Sequence, residues 1–313
     1  MHVTERDESM DVRQLKFFLG VATCESFTKA AEQLHIAQPA LSIAIKKLEE
    51  ELDVLLFNRR DRKISLTAEG DALLLHAHAI LQGVNNAKKE IADLRGLLKG
   101  EVRVGLTPML STFFFPKIIA SFKQSHPGLR ISISGDSAWN IQRKIESGEL
   151  DLGVIAGEVP DGLDSHHLLR EEIVACVHPG HPFVGRNKIA LRELLGEPLI
   201  HYKEGYHLRE LIDGLCAREG IAPTVVAESN LFSLVRSLVK EKLGLAFFLK
   251  MVVARDAEVA AISCDPPLFM NLYIAWKKNS YLSKANRAFV DFLIQELDEY
   301  YMLTQAARTF PLP

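Results

Sequence analysis

"SFTKAAEQLHIAQPALSIAIKKLEE", residues Ser26 to Glu50, decides how the N-terminal part of this chain folds. Ser26 and Thr28 are types that cap helix starts, and Thr28 to His35 reads as a short helix. Ile36 and Ala37 make a tight connection. Pro39 then stands where the next helix begins, a place that tolerates its missing N–H. Leu41, Ile45, Leu48 and Leu52 are spaced as the buried stripe of that helix. Small side chains at Ala30 and Ala31 let the two helices cross closely. Such a pair is either a helix-turn-helix or an ordinary helical hairpin, and the flanks decide. Upstream, Val12, Leu15, Phe18 and Ala22 share one face of a helix over 11–23. Downstream, "LLFNRRDRKISLT" (Leu55 to Thr67) has apolar ends around a polar tip, the pattern of a β-hairpin wing. Arg59, Arg60, Arg62 and Lys63 against Asp61 make that tip basic, suited to meet DNA phosphates.

A long helix follows, with Thr67 able to cap it. Leu73, Ala77, Ile80, Val84, Ala87, Ile91, Leu94 and Leu98 alternate in steps of four and three. A 3.5-residue period held this long is a helix-on-helix dimer seam, weakened here by its two alanines. Near Gly100 the character changes. "EVRVGL", a helix from Ser111 to Ser125, "LRISIS", a helix from Trp139 to Ser147, and "LDLGVI" alternate as strand and helix. A second series follows: "EIVACV", "PLIHY", a helix from Leu208 to Glu219, "TVVAES", a helix from Leu231 to Glu241, and "GLAFFL". A last strand, "LFMNLYIAW", and a helix from Lys284 to Tyr300 end the pattern. Such alternation implies parallel sheets in two α/β lobes, with a cleft at the strand ends.

Composition narrows the function. Of 313 residues, 48% are hydrophobic and 25% charged, an ordinary globular mix. Lys plus Arg is 37 and Asp plus Glu 40, so the net charge of −3 leaves any nucleic-acid surface local. Cys24, Cys176, Cys216 and Cys264 form no C-x-x-C pair and read as reduced structural thiols. The acidic N-terminus lacks the apolar core of a signal peptide, and no apolar run nears the ~18 residues of a bilayer span. A cytoplasmic location without membrane contact is expected. No G-x-S-x-G, G-x-G-x-x-G, P-loop or H-E-x-x-H occurs, so no enzyme, cofactor or metal is expected. His166 with His167, and His178 with His181, lie in loop-like stretches and read as surface histidines.

The run "LKFFLGVATCESFTKAAEQLHIAQPALSIAIKKLEEELDVLLFNRRDRKISLTAEG" resembles the LysR-type transcriptional regulator family. It keeps the family's S-F-x-x-A-A-x-x-L, Q-P-A-L-S, L-E-x-x-L, L-F-x-R and L-T-x-x-G in order. "ESGELDLGVI" and "HPGHPF" are similar to the punctuation of its effector domain, which looks like a two-lobed periplasmic solute-binding protein. The resemblance covers nearly the whole chain. It implies a winged helix-turn-helix over 10–67, a linker and dimerisation helix over 68–99, and an α/β effector domain over 100–302. Lobe I would comprise about 100–163 and 269–302, lobe II about 164–268, with tails at 1–9 and 303–313. Several positions depart from the family. Ala37 replaces a frequent Ser, and Ile43 and Ala44 replace Arg and Gln. Met109 replaces a small hydroxyl residue, and Lys242 replaces a glycine.

The expected function is a DNA-binding transcriptional regulator controlled by a small molecule bound between the lobes. DNA contacts are expected from Thr28, Gln38, Pro39, Ser42, Lys46 and Lys47, with the basic wing on phosphates. Effector contacts are expected from Thr107, Ser111 and Ser137 in one lobe. His201, Tyr202, Ser229, Asn230 and Phe232 would supply the other. Hydroxyls suit a carboxylate and the rings suit an aromatic acid. The expected partners are an imperfect inverted repeat of double-stranded DNA and further copies of the chain, as a homodimer or homotetramer.

Overall fold

The computed structural model describes residues 10–58, 64–94, 100–254 and 256–309. They form two compact units, the first running to Ala92. In the first unit, α1 (Val12–Cys24) opens with a reciprocal cap. The Asp11 carboxylate accepts the Gln14 N–H at 2.7 Å, and the Gln14 side chain accepts the Asp11 N–H at 2.8 Å. Next, α2 (Phe27–Gln33) is capped by Ser26, whose hydroxyl accepts the Lys29 N–H at 3.3 Å. Then α3 (Gln38–Leu52) carries Pro39 in its first turn. Leu41, Ile45 and Leu48 are buried against Leu15, Phe18, Val21, Ala30 and Ala31. The expected stripes hold except at their ends: Val12 and Leu52 are exposed.

The wing forms as an antiparallel pair, β1 (Phe57–Asn58) and β2 (Ser65–Leu66), with Phe57 opposite Leu66. Its tip residues Arg59, Arg60, Arg62 and Lys63 lie outside the described residues. Glu49 is a buried carboxylate on α3. Its Oε1 accepts the Leu56 N–H at 2.9 Å and the Phe57 N–H at 3.4 Å, tying helix to wing. The chain then enters α4 (Ala68–Leu94), where the Thr67 hydroxyl accepts the Gly70 N–H at 3.0 Å. Gly70 is there for space, since a Cβ would sit 2.2 Å from the Leu56 carbonyl oxygen.

The heptad residues on α4 do not all face one way. Ala77 is fully buried and Leu73 packs beside it on the core of α1–α3. Ile80 is 40% and Ile91 56% exposed, Ala87 is exposed and Val84 half-buried. The early seam positions therefore serve their own domain, and only the later ones remain for a partner. Leu94 ends the helix, and Leu98 lies outside the described residues.

The second unit begins with β3 (Gly100–Leu106), α5 (Pro108–Phe113), α6 (Phe115–Ser125), β4 (Leu129–Gly135), α7 (Ala138–Ser147) and β5 (Leu152–Ala156). The single helix expected from Ser111 to Ser125 is two. Pro116 has no N–H to bond back, so the first helix stops and the second starts with proline in its first turn. The chain goes on through β6 (Leu163–Val177), β7 (Lys188–Ala190), α8 (Leu191–Leu195), β8 (Leu199–His201), α9 (His207–Glu219), β9 (Val225–Glu228), α10 (Phe232–Lys240), β10 (Ala246–Leu249) and α11 (Lys250–Val253). It closes with β11 (Ala260–Lys277) and α12 (Lys284–Thr309). The last helix continues past the expected end near Tyr300, into the stretch expected to be a tail.

The main sheet has the order β10-β6-β11-β5-β3-β4, with β7 beside β11. It is mixed, not parallel as the alternation implied. β3 runs parallel to β4 and β5, but β11 is antiparallel to β5 and β6, and β10 is antiparallel to β6. The reason is the two-lobed path. The chain leaves the first lobe along β6 and returns along β11, so these neighbours must run in opposite directions. Their shared pairing of Arg170 with Asn271 and Glu172 with Phe269 marks the crossing. A separate parallel pair, β8-β9, completes the second lobe.

Candidate functional site

Two sites emerge, one in each unit. On α3, Gln38, Pro39, Ala40, Lys46 and Lys47 are exposed, Ser42 is half-buried, and Thr28 is exposed on α2. Their solvent-facing row results from the same periodicity that buries Leu41, Ile45 and Leu48. Gln38 Nε2 donates to Ser42 Oγ at 2.8 Å, one helical turn on, which leaves the Gln38 carbonyl oxygen as a free acceptor. Lys46 pairs with Glu50 at 3.2 Å, but both side chains are well exposed, so the pair yields readily to a competing phosphate. Ile43 is 58% exposed in the middle of this row. The sequence marked it only as a departure, yet an apolar group there is suited to the methyl of thymine.

The second site is a cavity of about 70 Å³ between the two lobes of the second unit. Its walls come from the ends of β3, β5 and β10, the middle of β11 and the starts of α5, α7 and α9. Thr107, Tyr202 and Asn230 line it, as the sequence suggested. The other nominated residues do not. Ser111 turns its hydroxyl to the Pro108 carbonyl at 2.9 Å. Ser137 caps α7 by accepting the Asn140 N–H at 3.3 Å. Ser229 accepts the Leu231 N–H at 3.1 Å. Phe232 packs on Phe113 and Phe248. These side chains are consumed by local structure, as short hydroxyls at helix starts commonly are. The residues that replace them are mainly apolar: Met109, Leu110, Val154, Met270 and Leu272, with Tyr206 and His207.

His201 sits behind the wall. It is buried, and its Nε2 lies 3.0 Å from Asp213 Oδ1. Arg209 also bonds Asp213, donates to the Tyr202 carbonyl at 2.9 Å and to Glu228 Oε1 at 2.6 Å. Burial holds the His201 pKa below its ordinary value despite the Asp213 hydrogen bond. Burial pushes Asp213 up, but hydrogen bonds from Arg209 and His201 outweigh it and leave this carboxyl below its usual range. The network fixes the start of α9 and hence the position of Tyr202, Tyr206 and His207.

Tyr202 itself is 4% exposed, and its hydroxyl is buried with no hydrogen-bond partner among the described residues. Burial raises its pKa well above the ordinary value, so it stays protonated and able to donate. Tyr206 stacks near it, with centroids 6.3 Å apart, and hydrogen-bonds Asn230. The lobes meet closely here. Gly157 has φ +83, and a Cβ on it would lie 2.3 Å from the His207 ring. No other residue type supports both that backbone and that approach.

Nothing in this unit suggests redox chemistry. Cys176, Cys216 and Cys264 are buried, and burial pushes Cys264 up to about 12 and Cys176 higher still. Among the described residues no cluster of three or more His, Cys, Asp or Glu could hold a metal ion. Among them also, no helix is long and apolar enough to cross a membrane.

Residues 12–71 match the bacterial regulatory helix-turn-helix protein, lysR family, and residues 95–298 match the LysR substrate binding domain. The chain is 33% identical over 288 residues to an uncharacterized HTH-type transcriptional regulator, YwbI of Bacillus subtilis, covering 90% of this chain and 95% of the relative. It is 28% identical to a probable RuBisCO transcriptional regulator of Trichormus variabilis, over 88% of this chain and 85% of that one. Its fold is similar to full-length OxyR from Pseudomonas aeruginosa, with a TM-score of 0.70, 23% identity, and coverage of 92% and 95%. It is also similar to CbnR complexed with its target DNA, with a TM-score of 0.64, 22% identity, and coverage of 91% and 99%. With a winged helix-turn-helix joined to a two-lobed α/β domain and both family models matched in order, the chain belongs to the LysR family of DNA-binding transcriptional regulators.

Proposed function

We propose that this regulator binds an imperfect inverted repeat of double-stranded DNA as a homodimer or a pair of dimers, with a small-molecule effector in the interlobe cleft setting its activity. The working division is a DNA-binding head over 10–67, a linker over 68–99 and an effector domain over 100–302, and the site of action is the cytoplasm. Gln38, Ser42 and Ile43 face base edges. Thr28, Lys46, Lys47 and the wing residues Arg59, Arg60, Arg62 and Lys63 face phosphates, with Pro39 packed at the backbone. The apolar stretch of α4 around Ile80 and Ile91 is the self-association seam.

The observation that carries the effector reading is the cavity of about 70 Å³ walled by both lobes and lined in part by Tyr202, whose buried hydroxyl has no hydrogen-bond partner among the described residues. A buried donor without a partner costs stability unless something accepts from it. Ligand in the cleft shifts the chain between open and closed lobes only by its differential affinity for them, and the heads respond to that shift. Of the expected roles in the cleft, Thr107, Tyr202 and Asn230 are proposed as direct contacts. Ser111, Ser137, His201, Ser229 and Phe232 act by holding the walls.

The test is selection of bound duplexes from a random pool, followed by binding of the winner to Gln38→Ala. The expected product is one imperfect two-fold repeat, and the variant is expected to lose roughly 1–3 kcal/mol on it with relaxed preference at one base pair. Equal weakening on cognate and random DNA would remove Gln38 from base reading.

A further inference from the structure

The interlobe cavity is notable for what lines it. Among the described residues its walls hold no lysine, arginine, aspartate or glutamate. The one lining side chain able to carry positive charge is His207, and its Nδ1 already faces Glu210 Oε2 at 3.8 Å. Asp136 bonds the Ser137 N–H and the Asn140 side chain, both at 2.8 Å, and pairs with Lys144 at 3.1 Å. Burial, and to a smaller extent the Asp136 field, raises the pKa of Tyr206. An ionised ligand here would lose its hydration and meet no cation in return, and such a burial is strongly opposed.

What the walls do offer is apolar contact with a little polarity. Met109 and Met270 present flexible thioethers that adapt to shape. Tyr202 and Tyr206 present ring faces 6.3 Å apart between centroids, inclined by 26°. The Tyr202 hydroxyl still needs an acceptor, and Thr107 stands at the opposite wall. Size sets a second limit. The cavity of about 70 Å³ compares with roughly 150 Å³ for an apolar cavity that takes up benzene. A ligand must therefore be compact, and one ring fills the site only as the lobes part slightly and the methionines turn.

We infer that the effector is a small uncharged molecule with an apolar body and a single oxygen that accepts a hydrogen bond from Tyr202, of the class of phenols and simple alcohols, and not a carboxylate. This rests on the cleft being the effector site. It departs from the acid that the sequence suggested, because that expectation assigned binding to Ser111, Ser137 and Ser229, whose hydroxyls are engaged elsewhere.

The experiment uses the full-length protein and three probes of matched ring size: phenol, benzyl alcohol and benzoate. Thermal unfolding and titration calorimetry are recorded on the unaltered chain, on Tyr202→Phe, and on Ala156→Leu and Ala138→Leu. The last two fill the cavity from two different elements of the first lobe, α7 and β5, so one well-folded variant suffices, as judged by circular dichroism. Phenol or benzyl alcohol is expected to raise the unfolding temperature saturably while benzoate at equal concentration does not. Tyr202→Phe is expected to weaken that binding about tenfold, and a filled cavity to abolish it. Benzoate binding as well as or better than the neutral probes, with the response lost in the filled variants, overturns the ligand class and leaves the cleft as the site. Neutral binding that survives both fillings overturns the cleft reading itself. No response to either neutral probe overturns the inference.

Discussion

Phe113 at the end of α5 and Phe232 at the start of α10 touch edge to face, with centroids 4.7 Å apart and planes at 67°, and so join one lobe of the effector domain to the other. Phe232 is anchored in its own lobe by Phe248, at 5.1 Å. Phe113 is 46% exposed, so this contact, not burial in its own lobe, is its main apolar partner. The pair acts as a clasp between the lobes. Removing the Phe113 ring is expected to cost about 1 kcal/mol and to loosen closure. In Phe113→Ala, amide exchange at Leu231 to Val235 should rise together with that of α5. Unchanged exchange on the α10 side would mean the lobes are held by other contacts.

Self-association should depend on the later part of the α4 seam alone. Ile80 and Ile91 are exposed, while Leu73 and Ala77 are committed to the head. Ile80→Asp with Ile91→Asp would bring like charges together across a two-fold interface. The double variant is expected to sediment as a smaller species and to lose operator binding, with the effector domain still folded. An unaltered sedimentation profile with operator binding intact would dismiss the seam.

Lys242 is held at φ +66 in the turn that closes α10. Its N–H bonds the Val239 carbonyl at 3.0 Å, and the Leu243 N–H bonds the Leu238 carbonyl at 3.1 Å. This paired closure normally places glycine at the left-handed position. Lys242→Gly is expected to raise stability by roughly 0.5–1 kcal/mol, since relief of the left-handed strain exceeds the added entropy of the unfolded chain. Urea unfolding should show a higher midpoint at constant slope. A lower midpoint would indicate that the lysine side chain makes a compensating contact.

Acid should weaken the effector domain in two stages. His201 has a folded pKa below its ordinary 6.5, because burial disfavours the charged form. As pH falls through 6.5 the unfolded chain takes up this proton first, so stability drops from there until pH passes the folded value. Asp213 has the opposite charge type and a lowered pKa, so its contribution is complete above 3.8 and lost only below that. The slope just below pH 6.5 should flatten in His201→Gln, while the loss below pH 3.8 persists. An unchanged upper slope would shift that titration to another histidine.

The head was far more legible in the sequence than the cleft. Pro39, the Ala30-Ala31 pair and the apolar stripe of α3 each have one local meaning, and they agree. The cleft depends on where strand ends converge. Val154, Met270 and Leu272 lie within strands β5 and β11 and look like any core residue when read along the chain. Ser111, Ser137 and Ser229 drew attention because hydroxyls beside helix starts suit ligands, but the backbone claims the same hydroxyls. Periodicity also could not say that Leu73 and Ile80 serve different partners, since a repeat records spacing and not what lies across from it. The reversal of β11 against β6 followed from the return path between lobes, which no local pattern carries.

Glu49 binds the first wing strand through two backbone N–H groups from within the core of α3. Helix α3 and the first wing strand are thereby welded into one part. Neither can be re-aimed without the other, so, with Gln38, Ser42 and Ile43 as the proposed base-reading side chains, a change of target is expected to come from exchanging those side chains, not from tilting the helix. Within each half-site of the proposed repeat the reading frame would then be set at folding, with only the gap between half-sites left for the assembly to vary.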